Sequence, residues 1–486
     1  MKKRIFVSLL CSLLLMPTVI GCASDTTDAI DTQNSDSASD SIVSETEDAR
    51  DSADLPDKDF GGAEFRILAE YDWNPAGSGV TLIVPDEMNG DVLNDEVFER
   101  NSALMDKYNF TFSWTADREA HTIIQNCING GIDDYDLLAA DFIKGMRNSI
   151  ANVYLELNEI PYISLEKDYW NPHMQRELSI GEKVYAVCGD ITFMEEDALM
   201  VTLFNKPMAD TYDMENLYDT VRSGKWTIDK MKECMAQVVN DLNGDGKFDH
   251  ENDIIGLLYA GNSTLSPYMA AANTTLIYKD DKDIPHLTAD LSAAESIYST
   301  MQEIFTTGGY ALEWMALPEP VANMASMIDG KRVLFQNMIT SFLRRNYRDV
   351  EADFGILPMP KFSEEQDQYS TLYNPKAMSL GFVPASVVDT EKVGFILEAM
   401  ADASENLSQI YFDVCLSGKY TRDPESYEMI RLAEDNIVMD MTFMFDFGTL
   451  GTLLTNSIKA KPFVSTFESK KAAAEQEITE FFANIQ

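Results

Sequence analysis

Short apolar runs alternate with amphipathic segments along most of the chain. The apolar runs contain aromatic and β-branched side chains and are bounded by Gly, Asp or Asn, which predicts β-strands. They lie at 65–69, 108–114, 135–140, 184–187, 198–204, 254–259, 333–335 and 354–357. Segments 94–107, 392–403 and 469–484 instead space their apolar residues as one face of a helix. Strands that alternate with helices predict an α/β fold.

The segment 224–231 is predicted to begin a helix. Thr227 has the side chain of an N-cap, although Lys230 stands where a capping box would place Glu. Trp226 comes one residue before this cap and is predicted to be structural.

The first 22 residues have the layout of a bacterial lipoprotein signal peptide. Basic residues 2–4 precede an apolar stretch, 5–16, that is too short for a permanent membrane helix, and 19–22 end in Gly-Cys. Cys22 is therefore predicted to carry lipid and to hold the mature protein on the extracellular face of the cell membrane. An ordinary secretory signal with an incidental cysteine is the alternative.

Residues 23–58 are rich in Ser, Thr, Asp and Glu and are predicted to form a disordered acidic tether. The remaining residues, 59–486, exceed the roughly 250–300 residues at which one hydrophobic core usually divides. Two domains or lobes are therefore expected.

The net charge of −44 makes nucleic acids and anionic lipid surfaces poor partners. Cys127, Cys188, Cys234 and Cys415 are widely spaced, which leaves both disulfides and buried thiols open and gives no zinc motif. The 4 histidines include no i, i+4 pair, so a histidine-based catalytic metal site is not predicted.

The segment 241–249 matches the opening of an EF-hand or dockerin calcium loop. Oxygen ligands are expected at positions 1, 3, 5, 7 and 9, which here are Asp241, Asn243, Asp245, Lys247 (through its carbonyl) and Asp249. Gly246 permits the turn, but Asn252 replaces the bidentate acid of position 12. The segment is predicted to hold a structural Ca²⁺; an acidic surface turn without an ion is the alternative.

An ordered series of short motifs resembles the extracellular solute-binding proteins of ABC importers, specifically the carbohydrate-type, family 1-like lipoproteins. The motifs are Phe60-Gly-Gly, Phe65-Arg-Ile67, Asn94-Asp-Glu-Val97, Glu99-Arg-Asn101, Tyr135-Asp136, Phe204-Asn-Lys206, Gly224-Lys-Trp-Thr227, Phe354-Gly-Ile-Leu-Pro-Met-Pro360 and Gly381-Phe-Val-Pro384. They follow one another over nearly all of residues 59–486.

The resemblance implies a two-lobed α/β clamp of the type II periplasmic-binding-protein kind. Its N-terminal lobe would comprise 59–193 and 365–415, and its C-terminal lobe 194–364 and 416–486. Hinge crossings would lie near 190–199, 358–374 and 412–418. Such a protein is a monomer that captures a solute between its lobes, delivers it to an ABC permease and catalyses no reaction.

A carbohydrate is the expected solute, since sugars bind through aromatic faces together with carboxylates and amides. Candidate ligand-binding residues are Tyr71, Trp73, Asp141, Trp170, Asn171, Trp314 and Asn337. Positions 170, 171 and 337 rest on the resemblance, and packing in a core or hinge is the alternative for each aromatic. Peptides and polyols are alternative solutes.

Two other functions remain open from the sequence. One is an extracellular glycoside hydrolase, although no carboxylate pair is marked as its acid and base. The other is a surface lipoprotein that docks on glycans without a permease.

Overall fold

Two five-stranded sheets flanked by helices organise the chain. The computed structural model describes residues 52–70, 83–149, 151–261, 264–347, 349–404, 407–412, 423–455 and 462–485. These residues belong to one compact unit, 51–486. The predictions for Cys22, Tyr71, Trp73 and Cys415 lie outside the described residues.

The strands are β1 Ala63–Glu70, β2 Phe110–Asp117, β3 Leu137–Asp141, β4 Ala186–Val187, β5 Met200–Asn205, β6 Ile255–Tyr259, β7 Ile277–Lys279, β8 Pro285–Leu287, β9 Ala311–Glu313, β10 Val333–Ile339, β11 Phe354–Leu357 and β12 Ser379–Phe382. All eight predicted strands are confirmed; the short strands β7, β8, β9 and β12 were not predicted.

The helices are α1 Val92–Tyr108, α2 Ala120–Gly130, α3 Phe142–Ser149, α4 Pro172–Leu178, α5 Met194–Asp197, α6 Lys206–Thr211, α7 Leu217–Arg222, α8 Ile228–Val238, α9 Ser266–Ala271, α10 Ser292–Thr306, α11 Pro320–Asp329, α12 Thr340–Asn346, α13 Thr390–Asp402, α14 Leu407–Ile410, α15 Pro424–Glu434, α16 Met441–Phe445 and α17 Phe463–Ile485. The predicted cap of α8 is confirmed, because the Thr227 side chain accepts a hydrogen bond from the Lys230 N–H at 3.2 Å.

Sheet I has the strand order β2-β1-β3-β12-β4. Strand β1 runs parallel to β2 and β3, whereas β12 is antiparallel to β3 and β4. Since carboxyl ends of parallel strands meet at one edge of a sheet, Glu70 and Asp141 lie at the same edge.

Sheet II has the strand order β11-β5-β10-β6-β9. Strands β10, β6 and β9 are parallel, and β5 pairs antiparallel with β10 and β11. Helix α12 begins immediately after the carboxyl end of β10, so its first turn lies at that edge of sheet II.

Sheet I is covered on both faces, as a mostly parallel sheet requires. Along β1, Phe65, Ile67 and Ala69 join one core with α13, whereas Leu68 joins a larger core that continues into sheet II. This alternation follows from the two-residue period of a strand. Cys127, Cys188 and Cys234 are buried free thiols.

The chain passes from sheet I to sheet II between β4 and β5, and returns between β11 and β12. The third crossing, implied near 412–418, lies almost wholly outside the described residues. The strands of sheet I fall within the range implied for the N-terminal lobe and those of sheet II within the other. The lobe boundaries themselves remain a prediction.

The predicted tether extends too far toward the fold. Ala53 and Leu55 pack against the core beneath sheet I, and the Ala53 N–H donates to Asp402 Oδ1 at 2.9 Å. Lys58 Nζ lies 5.2 Å from the centroid of the Phe60 ring. Residues 53–58 are thus part of the folded unit, because their few apolar side chains find partners on α13 and its neighbours.

Among the described residues, no helix combines the length and the apolar character needed to cross a membrane.

Candidate functional site

A cavity of about 480 Å³ lies between segments that flank the two sheets. Residues of the 85–97 segment, which leads into α1, form the side next to sheet I, and Arg344 and Arg345 of α12 form the side next to sheet II. Phe193, from the first crossing, completes the lining. The volume of this cavity lies in the range of small-molecule sites, about 300–1,000 Å³.

The wall next to sheet I is held by hydrogen bonds within its own loop. Asp91 caps α1 and accepts from the Asn94 N–H at 3.3 Å. Asp95 accepts from the N–H groups of Asn89 at 2.9 Å and Gly90 at 3.1 Å. Gly90 has φ +81°, a conformation that favours glycine. The loop therefore presents carboxylate and amide groups to the cavity in fixed positions.

The opposite wall carries two arginines that share one buried carboxylate. Asp197, at the end of α5, is only 3% exposed. Arg344 binds it in a forked arrangement, with Nε 3.0 Å from Oδ1 and Nη2 2.5 Å from Oδ2. Arg345 Nη2 lies 3.1 Å from the same carboxylate, and Tyr411 donates to Oδ1 at 2.8 Å. The first crossing is thereby joined to α12.

Arg344 is the buried member of the pair and carries its charge into the cavity. Burial would lower its pKa, but the hydrogen bonds and charge of Asp197 outweigh burial and raise it. The guanidinium also lies 5.3 Å from the ring of Phe193. The cavity therefore has a cationic wall opposite an acidic one.

A second polar cluster lies at the carboxyl ends of β1 and β3. Glu70, 6% exposed, accepts from the Asp141 N–H at 3.1 Å and pairs with Lys144. His121 Nε2 lies 3.2 Å from Glu70, and its Nδ1 lies 2.9 Å from the Tyr154 hydroxyl. Burial alone would raise the Glu70 pKa, but His121 and Lys144 lower it to about 2.

We expect replacement of Glu70 to change how Tm depends on pH at acid pH. A carboxylate with a lowered folded-state pKa stabilises the fold above its ordinary pKa, and this contribution is lost as pH falls toward about 2. We expect Glu70→Gln to lower Tm most above pH ~5 and to differ little from the wild type near pH 2. Thermal scans from pH 2 to 7 measure this, with the exposed Glu64→Gln on the same strand as control. A Tm difference between wild type and Glu70→Gln that does not vary with pH would contradict the assignment.

Of the predicted ligand residues, Trp170 is placed in the interior. Its exposed fraction is 0%, and its indole N–H donates to Glu398 Oε2 at 2.7 Å. No face of this ring is open to a ligand here, because α13 covers it. Asn171 caps α4 by accepting from the Met174 N–H at 3.2 Å.

Asn337 lies in β10 of sheet II, and Trp314 directly follows β9 of the same sheet. Trp314 follows β9, is 8% exposed and packs edge-on against Phe342 at 5.3 Å between ring centroids. Asn337 is 3% exposed, donates to the Tyr268 hydroxyl at 2.6 Å and accepts from Thr202 Oγ1 at 3.1 Å. Both are packed side chains in this structure.

None of the described candidates lines the 480 Å³ cavity. Asp141 lies in the Glu70 cluster instead, where its Oδ1 accepts from the Lys144 N–H at 2.9 Å. The residues that the sequence analysis missed are Asp86, Glu87, Asn89, Asp91, Asn94, Phe193, Arg344 and Arg345.

In the 241–249 loop, side-chain oxygens bond to backbone N–H groups of the loop itself. Asp241 accepts from Gly244 at 2.7 Å and Gly246 at 2.8 Å, and Asp245 accepts from Lys247 at 2.8 Å. The described residues include no group of three or more His, Cys, Asp or Glu side chains positioned to hold a metal ion. Calcium binding at this loop stays a prediction. If the loop binds Ca²⁺, adding Ca²⁺ should raise the Tm of the wild type but not that of Asp241→Asn.

Asp253 closes this loop and is expected to matter for stability whether or not an ion binds. It is 0% exposed and accepts from the N–H groups of Leu242 and Asp249, both at 3.0 Å. Asp253→Ala would leave two donors without their partner, and we expect a loss of about 1–3 kcal/mol in urea unfolding. Glu251 is an exposed neighbouring acid, and we expect Glu251→Ala to lower the free energy of unfolding far less. Equal losses from the two variants would contradict the role of Asp253 in closing the loop.

No family model matches the chain, and no curated protein does. Solved structures do resemble it. An ABC substrate-binding protein from Listeria monocytogenes in complex with cycloalternan has a TM-score of 0.54 at 13% identity, covering 86% of this chain and 99% of that one. The maltose/maltodextrin-binding domain MalE from Bdellovibrio bacteriovorus, bound to maltotriose, has a TM-score of 0.53 at 14% identity, covering 86% and 100%.

A third similar structure is UgpB from Mycobacterium tuberculosis in complex with glycerophosphocholine. Its TM-score is 0.55 at 14% identity, covering 86% of this chain and 99% of that one. At such identities the likeness concerns the fold. The predicted α/β fold class is thus confirmed: the chain has two five-stranded sheets flanked by helices, and this fold is similar to that of the solute-binding proteins named above.

Proposed function

We propose that this protein is an extracellular solute-binding protein of an ABC importer, which captures a carbohydrate between its lobes and delivers it to a permease. The observation that carries the proposal is the 480 Å³ cavity, whose lining comes from the 85–97 segment next to sheet I, from α12 next to sheet II and from the first crossing. A ligand in such a place contacts both lobes, so its binding favours the closed arrangement.

The chemistry of the cavity supports a hydroxyl-rich solute. Carboxylate and amide groups of Asp86, Asn89 and Asn94 face two guanidinium groups across it. Carboxylates accept hydrogen bonds and guanidinium groups donate them in a fixed fork, and a sugar hydroxyl can do both. Two of the similar structures are complexes with oligosaccharides, and one is a complex with glycerophosphocholine. A phosphodiester is therefore the alternative to a carbohydrate solute.

A thermal-shift screen of residues 51–486 tests the proposal. Mono- and oligosaccharides, glycerophosphocholine and short peptides are the probes, since binding to the native state alone raises stability by RT ln(1 + [L]/Kd). We expect a carbohydrate to raise Tm, and Arg345→Ala to weaken its binding at least tenfold in calorimetry. Lys282→Ala, which removes an exposed positive charge outside the cavity, is the control. A rise with glycerophosphocholine or peptide alone would overturn the carbohydrate assignment, and release of smaller sugars would favour the hydrolase.

The lipid anchor is a proposal that rests on the signal-like segment ending at Cys22. Two or three acyl chains would hold the protein stably at a membrane, whereas one chain binds only marginally. We expect the protein to fractionate with membranes and Cys22→Ala to release it into the medium. Recovery of the wild type in the medium would contradict the anchor.

A further inference from the structure

The short hairpin β7–β8 contacts parts of the chain that belong to different sheets. It lies in the chain between β6 and β9, two strands of sheet II, and forms a separate two-stranded sheet. Its base is anchored, since the Leu276 N–H donates to Asp440 Oδ2 at 2.9 Å and Ile277 is buried. Its turn contacts the 176–182 segment, which contains the end of α4 and leads into β4 of sheet I. The hairpin therefore joins a part of the chain that builds sheet II to a part that builds sheet I.

Lys279 of the hairpin binds the carboxyl end of α4. Its Nζ contacts the Arg176 carbonyl oxygen and lies 3.3 Å from the Glu177 carbonyl oxygen and 3.1 Å from that of Ser179. The last carbonyl groups of a helix lack partners within the helix and carry partial negative charge, so a cation is favourable there. The Lys279 side chain is only 18% exposed. The end of α4 thus receives its partner from a strand 100 residues further along the chain.

Asp283 makes a second connection from the same turn. Its Oδ1 lies 2.7 Å from Lys279 Nζ, and its Oδ2 accepts from the Glu182 N–H at 2.9 Å. Its carbonyl oxygen accepts from the Gly181 N–H at 3.2 Å. Asp280 fixes the turn, because its carboxylate accepts from two backbone N–H groups of the turn. The hairpin therefore presents a cation and a carboxylate to the 176–182 segment in fixed positions.

The contact between the hairpin and α4 lies away from the crossings. Near the start of α4, His173 Nε2 lies 3.0 Å from the Ile437 carbonyl oxygen, and Ile437 pairs with Thr371 of the second crossing. Helix α4 has 7 residues and is about 10 Å long, and its other end contacts the hairpin. A rotation about the crossings displaces this far end more than the near end. A contact at the far end therefore resists such a rotation better than one at the crossing.

The chemistry of this contact is that of a joint between moving parts. Interfaces between domains are more polar than a domain core, and here the connection consists of hydrogen bonds and an ion pair. We propose that the β7–β8 hairpin is a clasp, in which Lys279 and Asp283 hold the end of α4 and so favour the present arrangement of the two sheets. Release of the clasp lets the two sheets rotate about the crossings. The clasp acts in the ligand-free protein and does not depend on the proposed solute capture.

Hydrogen exchange of the full-length, ligand-free protein tests whether Lys279 holds the contact. We expect Lys279→Met to speed exchange of the Gly181 and Glu182 N–H groups about tenfold or more, because local opening then exposes them more often. Asp283→Asn should act in the same direction and guards against a folding defect in the first variant, since asparagine tolerates the φ of +59° at this position. Lys282→Met, at an exposed lysine of the same turn, is the control and should exchange as the wild type does.

Small-angle X-ray scattering without ligand tests whether the contact also holds the two sheets in place. For residues 51–486 we expect a larger radius of gyration in Lys279→Met than in the wild type or in Lys282→Met. Neither measurement includes a solute, so failure of the clasp is distinguishable from failure of solute capture. Unchanged exchange at 181–182 in Lys279→Met would overturn the proposal. Faster exchange with an unchanged radius of gyration would also overturn it, because the hairpin would then loosen without freeing the sheets.

Discussion

Replacing Trp170 by alanine is expected to destabilise the protein by about 3–5 kcal/mol, the usual cost of deleting a buried Trp side chain. Trp170 is completely buried, and its indole N–H donates to Glu398, which also accepts from the Tyr169 hydroxyl at 2.6 Å. The substitution leaves a large void between the 168–170 turn and α13. Urea unfolding of residues 51–486 measures the loss of free energy.

Trp170→Phe is the matched control. It fills most of the volume but removes the N–H, so we expect about 1–3 kcal/mol. Neither variant should change solute affinity more than about twofold while the protein is folded, since a packed core residue makes no ligand contact. If Trp170→Ala kept normal stability but lost solute binding, Trp170 would be a ligand contact. That result would contradict its position in the core.

Replacing Arg344 by methionine is expected to cost about 3–5 kcal/mol, because removing one partner leaves the buried Asp197 carboxylate poorly compensated. The same substitution removes charge from the cavity wall, so solute affinity should also fall. Urea unfolding and calorimetry separate the two effects. Adding Asp197→Asn to Arg344→Met should recover part of the lost stability, because the uncompensated charge is then removed.

Arg345→Met provides the comparison on the same helix turn. The Arg345 side chain is 52% exposed, and exposed ion pairs contribute only about 0–1 kcal/mol. We therefore expect a small stability effect with a clear loss of affinity. Equal destabilisation by the two arginine variants would show that the forked Arg344 pair does not determine the stability of the first crossing.

The sequence predicted the long elements because their patterns are local. Strand β1 and helix α1 follow from residue periodicity alone, and the α8 cap follows from one side chain. Strand β12 has four residues and forms only by pairing with β3 and β4, which are distant in the chain. Such short strands carry no period that a sequence can reveal.

The candidate site was predicted poorly because its residues depend on distant contacts. In the sequence the apolar run 333–335 is followed by the polar residues Gln336 and Asn337, a pattern that predicts neither a longer strand nor α12 with its arginines. In the structure β10 continues to Ile339, since Gln336 donates to the Met324 carbonyl at 2.8 Å and Asn337 is likewise satisfied. Trp170 is buried by a helix whose Glu398 lies 228 residues away.

The central claim is capture of a solute between the two lobes. Small-angle X-ray scattering of residues 51–486, with and without a saturating amount of the ligand found in the screen, tests it most directly. Binding to a cavity lined by the 85–97 segment on one side and by α12 on the other predicts that the radius of gyration falls on saturation. Arg344→Met, measured at the same ligand concentration, should show a smaller fall. A saturated protein with an unchanged radius of gyration would contradict closure of the lobes on the ligand.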